Sequence, residues 1–203
     1  MKKLYFFISL VLLAAAVAGQ EKMNIQVPYT DEAPEIDGFE EEVWDQVPEV
    51  SIDSAYLGEN PTVTAYWKVL WDDNALYVLV NVVDDDHWPA WVSGGSWFQF
   101  DQPELYLDVN EVLEDGKSPN HARTEGANGH YQVHTDFADG SYGVKQSLEE
   151  ANERPGGSFC YLLDGEDYVI EYALDYSTFI NLKGDLLGVG DFVDLDEIGF
   201  DVY

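Results

Sequence analysis

In the stretch GGSWFQFDQPELYLDVN, residues 94–110, Trp97, Phe98 and Phe100 come just ahead of a run that carries Glu104 and Asp108. Large rings beside acids suit neither a plain core nor a plain solvated face. They suit a surface for sugars, whose C–H faces stack on rings and whose hydroxyl rims need charged or amide partners. Such stacking contributes about 1 kcal/mol beyond area burial, and a hydrogen bond to a charged group ~1.5–3 kcal/mol. Trp97 would supply the first and Glu104 the second.

Paired carboxylates can also cleave a glycosidic bond, which is the rival chemistry. On a strand, Glu104 and Asp108 lie about 13 Å apart, wider than the ~5–9.5 Å that such pairs span. ELYLDVNE also lacks the Glu-x-Asp-x-x-Glu spacing of family 16 glycoside hydrolases. A cross-strand pair such as Glu104 with Glu171 stays open. His130 and His134 have a metal-like i, i+4 spacing, but a strand separates them by the same ~13 Å, so they read as surface histidines. Asp84-Asp85-Asp86 and the run Asp108 to Glu111 offer oxygen ligands for calcium, though no EF-hand loop is present and each run is also what a solvated acidic turn looks like.

The elements that would position these groups are strands. In TVTAYWKVLWDD, Ala65, Trp67, Val69 and Trp71 share one face, and in ALYVLVNVVDDD so do Leu76, Val78, Val80 and Val82. That alternation, with Asp72-Asp73-Asn74 between the runs, predicts a β-hairpin over 62–83. Further strands are expected over 104–109, 129–137, 158–163, 167–174 and 197–203, with another hairpin turn at Asp164-Gly165. On the first of these, Glu104, Tyr106 and Asp108 would face one side while Leu105 and Leu107 enter the core. Helix is confined to about one turn in each of 37–46 and 145–153. Trp44, Trp67 and Trp71 read as packing residues. Trp88, Trp91 and Trp97 fall in a Gly- and Pro-containing loop better suited to ligands. Many short strands without linking amphipathic helices predict an all-β chain folded as an antiparallel β-sandwich.

Composition narrows the partners. The chain has 40 Asp and Glu against 9 Lys and Arg, a net charge of −31. Such a field repels nucleic acid and anionic membranes and favours neutral ligands or cations. Cys160 is the single cysteine, so an intrachain disulfide and a thiolate zinc site are both excluded. After the opening Met, Met23 is the one methionine and it precedes the strands, which argues against Met/His haem ligation. Lys2 and Lys3, the apolar run Leu4 to Val17 and the small-residue site Ala16-Val17-Ala18 read as a cleaved leader over 1–19. Residues 20–203 then form one secreted or periplasmic domain without a membrane anchor.

Five motifs occur in order across residues 33–203: APEIDGFEEEVWDQVPEV, WKVLWDDNALYVLVNVVDDD, DQPELYLDVN, DYVIEYAL and EIGFDV. Together they resemble carbohydrate-binding module family 9, a DOMON-like carbohydrate-binding domain. The resemblance implies a jelly-roll or immunoglobulin-like sandwich that grips sugars, commonly carries structural calcium and is usually appended to glycanases. It also implies a stacking Trp shortly before Asp-x-x-Glu. The spacing from Trp97 to Asp101 is one residue longer here, so Phe98 and Trp91 are alternatives to Trp97. A polar cleft residue of the family matches Gln132. The family continues past Ile-Gly-Phe-Asp to a polar loop and a second Trp, so the last strands are expected to be missing after Tyr203. The expected function is non-catalytic binding of poly- or oligosaccharide in carbohydrate catabolism. The alternatives are a β-sandwich glycoside hydrolase and a calcium-stabilised extracellular interaction domain.

Overall fold

A computed structural model describes residues 23–52, 63–87, 101–109, 130–135, 143–148, 156–179 and 197–203. Among these residues nine strands run β1 (Val50–Ile52), β2 (Thr64–Trp71), β3 (Ala75–Val83), β4 (Glu104–Asp108), β5 (His130–His134), β6 (Gln146–Leu148), β7 (Gly157–Asp164), β8 (Asp167–Asp175) and β9 (Gly199–Val202). They form a six-stranded sheet, in the order β1-β2-β3-β8-β7-β6, and a three-stranded sheet, in the order β5-β4-β9. Every named pairing is antiparallel.

The expected hairpin over 62–83 is β2–β3, with Trp71 opposite Leu76. Its turn is closed by Asp72, whose Oδ1 accepts from Asn74 N at 2.7 Å and Ala75 N at 2.9 Å. This is the local bonding that makes Asp a turn residue. The β7–β8 hairpin turns at Gly165, whose φ of +76° favours glycine. One expectation is corrected. Gln146–Leu148, read as part of a helical turn over 145–153, is an edge strand paired with β7. The expected turn over 37–46 is present as a 3-10 helix, Glu42–Gln46. The short β1 was not expected.

Alternation decides what lies between the sheets. Val69, Val78, Val80, Ile170 and Tyr172 of the large sheet meet Leu105, Leu107, Tyr131, Val133 and Val202 of the small one in a single apolar cluster. Burial of each such side chain stabilises the fold by ~1.5–3 kcal/mol. Specific contacts also cross the layers. Trp67 packs edge-on against Phe200 at 5.0 Å, and the buried Tyr172 hydroxyl pairs with Thr135 Oγ1 at 2.7 Å.

The large sheet is buried on its other face too. Leu70, Tyr77, Leu79 and Cys160 pack there against Ile36, Trp44 and Val47 of an N-terminal strap. Gly38 lets the strap approach: its φ is +88°, and a Cβ there would stand 2.8 Å from Leu162 N. Lys68, only 5% exposed, anchors the strap by pairing with Glu40 and Glu49. Among the described residues no helix is long and apolar enough to cross a membrane.

Candidate functional site

The face of the small sheet turned away from the core carries the polar residues. On β4, Leu105 and Leu107 are buried between the sheets, so Glu104, Tyr106 and Asp108 point outward. Register then sets their neighbours. Tyr106 lies opposite Gln132 of β5 on one side and Asp201 of β9 on the other. Glu104 lies opposite His134 and Asp108 opposite His130, so both histidines sit on one strand, as expected.

Three of these side chains form a closed hydrogen-bonded set. Tyr106 donates its hydroxyl to Glu104 Oε2 at 2.6 Å. Gln132 Nε2 donates to the same oxygen at 3.2 Å and to the Tyr106 hydroxyl at 3.0 Å. Among the described residues no donor reaches Glu104 Oε1. Burial pushes the Glu104 carboxyl above its usual range, and the bonds from Tyr106 and Gln132 pull partly the other way. Tyr203 sets its ring edge-on to Tyr106, with centroids 5.3 Å apart. A groove of about 170 Å³ continues along Tyr106, Asp108, Gly199 and Asp201. That is smaller than the pockets that enclose a ligand, so this is an open face rather than an enclosing pocket.

Of the residues singled out by sequence, Glu104 and Gln132 meet here. Trp91, Trp97 and Phe98 lie outside the described residues. Tyr106 was expected on this face but given no role. Its hydroxyl geometry depends on strand register, which no single segment reveals.

Glu171, left open above as a cross-strand partner of Glu104, is elsewhere. It pairs in register with Leu79 and Cys160, on the strap-covered face of the other sheet. Its Oε2 accepts from Asp37 N at 3.1 Å and Gly38 N at 2.8 Å, and its Oε1 from Trp44 Nε1 at 2.9 Å. Burial pushes this carboxyl up to about 7, against the three donors that favour the anion. Both sheets stand between the two carboxylates, so they share no substrate.

Two groups of candidate metal ligands are present among the described residues. Asp84, His87 and Asp101 have ligand atoms within 4.8 Å of one another, and so do Glu35, Asp37 and Glu41. Of the acidic runs expected to bind calcium, Asp84 belongs to the first group while Asp85 and Asp86 do not. Asp108 is on the outward face, and residues 110 and 111 lie outside the described residues. In the second group, Glu41 Oε2 is buried without a hydrogen-bond partner.

Comparison with known proteins finds a family model, carbohydrate family 9 binding domain-like, that matches residues 36–197. The chain is 27% identical over 155 residues to endo-1,4-beta-xylanase A of Thermoanaerobacterium saccharolyticum, covering 76% of this chain and 12% of that protein. It is 28% identical over 167 residues to exoglucanase XynX of Acetivibrio thermocellus, covering 82% of this chain and 14% of that protein. The chain therefore spans about one-seventh or less of the length of these relatives. A solved family 9 carbohydrate-binding module from Caldicellulosiruptor kristjanssonii, in complex with cellotriose, aligns at 24% identity with a TM-score of 0.44. That alignment covers 73% of this chain and 65% of that one. A second such structure from the same organism, in complex with glucose, aligns at 20% identity with a TM-score of 0.44 over 76% and 70%.

Proposed function

Because this chain belongs to the carbohydrate family 9 binding domain-like family, we propose that the outward face of its three-stranded sheet binds poly- or oligosaccharide without cleaving it. The observation that carries this reading is the linked set Glu104–Tyr106–Gln132 on an open sheet face. A carboxylate, a phenol and an amide linked on one sheet face match the hydroxyl rim of a sugar, which both donates and accepts. Tyr203, 59% exposed, stands beside them, and Trp97, Phe98 and Trp91 remain the proposed stacking rings from the segment before β4.

The absence of turnover is part of the same proposal. Glu104 and Glu171 face opposite ways on different sheets, and Glu171 is committed to three donors from the strap. The relatives' names, a xylanase and an exoglucanase, make xylan and β-glucan the first ligands to try. They also support export, which the leader-like residues 1–19 suggest.

Calorimetry with xylo- and cello-oligosaccharides tests the reading. At least one series should bind, and Glu104→Ala and Gln132→Ala should each cost ~1–3 kcal/mol of binding with melting temperature nearly unchanged. Incubation should release no new reducing ends. Release that disappears in Glu104→Gln would show a hydrolase, and affinity indifferent to both substitutions would move the site off this sheet.

A further inference from the structure

The outward face of the small sheet is acidic as well as polar. Tyr106 on β4 lies opposite Asp201 on β9, so the exposed Asp201 stands on the same side as Glu104 and Asp108. With Asp108 it lines the groove beside Tyr106. Its charge reaches the centre of the linked set. The Tyr106 hydroxyl is pushed above its usual range by burial first, then by the bond to Glu104 and the Glu104 charge, and Tyr203 and Asp201 add to the same push. Lys68 and Lys145 are the only Lys or Arg among the described residues, and both belong to the other sheet. Lys68 lies beneath the strap, paired with Glu40 and Glu49, and Lys145 directly precedes β6. Gln132 brings hydrogen bonds to the face without charge.

Building on the reading of this face as a sugar site, we propose that Asp201, together with Glu104, makes it select uncharged sugar units and reject units that carry a uronate. A neutral hydroxyl rim both donates and accepts, and so can satisfy carboxylate, phenol and amide together. An ionised uronate accepts but cannot donate. It offers Glu104 no proton and meets two like charges. Two unit charges about 7 Å apart in water repel enough to change an equilibrium constant roughly threefold. Glu104 is only 9% exposed, so little water stands around it to screen the repulsion. The net charge of −31 acts in the same direction over the whole surface, and Asp201 adds the part that is specific to the site. On a polysaccharide with uronate branches, the chain would settle on the unbranched stretches.

Calorimetry with the full chain tests this selectivity. The xylo- and cello-oligosaccharide series are each offered unsubstituted, with one uronic acid, and with the methyl ester of that acid, which keeps the bulk and removes the charge. Measurement at pH 8, above the usual histidine range, keeps His130 and His134, opposite Asp108 and Glu104, out of the comparison. In whichever series binds, the acid should bind at least about fivefold more weakly than its ester in low salt. That ratio should approach one in 1 M sodium chloride, where the screening length is about 3 Å. Asp201→Asn should lower the low-salt ratio about twofold or more, and it keeps the oxygen that accepts from Val202 N at 3.0 Å. Asp164→Asn removes one exposed charge at the β7–β8 turn, away from this face, and should leave the ratio as it was. Equal affinity for acid and ester overturns the proposal. So does a ratio that Asp201→Asn leaves unchanged, or one that Asp164→Asn lowers as much, which would assign the effect to overall charge. Failure of both unsubstituted series to bind would instead overturn the sugar site itself, and the selectivity with it.

Discussion

Glu171 and Glu104 are both carboxylates drawn out of water on the far face of a sheet, and they serve opposite ends. Glu171 receives three donors from its own chain, two backbone N–H groups and the Trp44 indole, and is fully buried. Its bonding capacity is used inside the fold. Among the described residues Glu104 receives Tyr106 and Gln132, both on Oε2, at an open face. One carboxylate closes a strap over the large sheet, while the other has an oxygen that no donor among the described residues reaches. The difference shows that neither burial nor a raised carboxyl pKa marks a functional acid. What matters is whether the chain already supplies every donor.

The largest expected effect tests the closed side. Glu171→Ala leaves the Trp44 indole and the Asp37 and Gly38 amides without an acceptor beneath the strap. It should cost ~3–5 kcal/mol of unfolding free energy by urea denaturation. Glu104→Ala, on the open face, should cost under ~1 kcal/mol in the same measurement. Equal losses would erase the distinction between the two sites.

Acidity sharpens the contrast. The Glu171 carboxyl stands at about 7 in the folded protein against 4.5 for the free group. A raised acid contributes stability that is full below the unfolded value and is lost as pH rises through the folded one. Stability should therefore fall between about pH 4.5 and pH 7, by at most ~3 kcal/mol from this group. Glu104 acts in the same direction, and so does the self-repulsion of a chain with net charge −31. Salt screens the self-repulsion but reaches a buried group far less. In high salt, Glu171→Gln should flatten the remaining slope, and Glu104→Gln should flatten it much less. A slope that survives Glu171→Gln in high salt would place the titrating group elsewhere.

These two sites were unequally legible in the sequence. The strands were plain, because alternation in β2 and β3 and the turn residues Asp72 and Gly165 are local signals. β1 is three residues, too short for any period to register. The stretch KQSLEEANE suggested a helical turn, yet Gln146–Leu148 pairs with β7, a case of tertiary pairing overriding local preference. Glu104 stood out by its neighbours, but Gln132 was found only through the family motif, since 28 residues separate it from Glu104. The Glu171 lock was illegible for the same reason at greater range. Its donors lie 127 to 134 residues away, and a lone acid in DYVIEYAL does not say what it will meet.

The smallest expected effect probes the middle member of the open set. Tyr106→Phe keeps the ring and its packing on Tyr203 but removes the hydroxyl that donates to Glu104 and accepts from Gln132. Because the residue is only half-buried and water can replace the lost bond, the cost should be ~0.5–1.5 kcal/mol of sugar affinity. The pH dependence is the more telling readout. If the Glu104 anion holds a sugar hydroxyl, binding declines as pH falls through its carboxyl pKa. The Tyr106 bond is what chiefly opposes the upward push of burial there, so removing it should shift that decline to higher pH. Gln132→Ala should shift it the same way by less, its bond being longer at 3.2 Å. A decline that stays in place in both variants would mean that Glu104 is held open for something other than a hydroxyl.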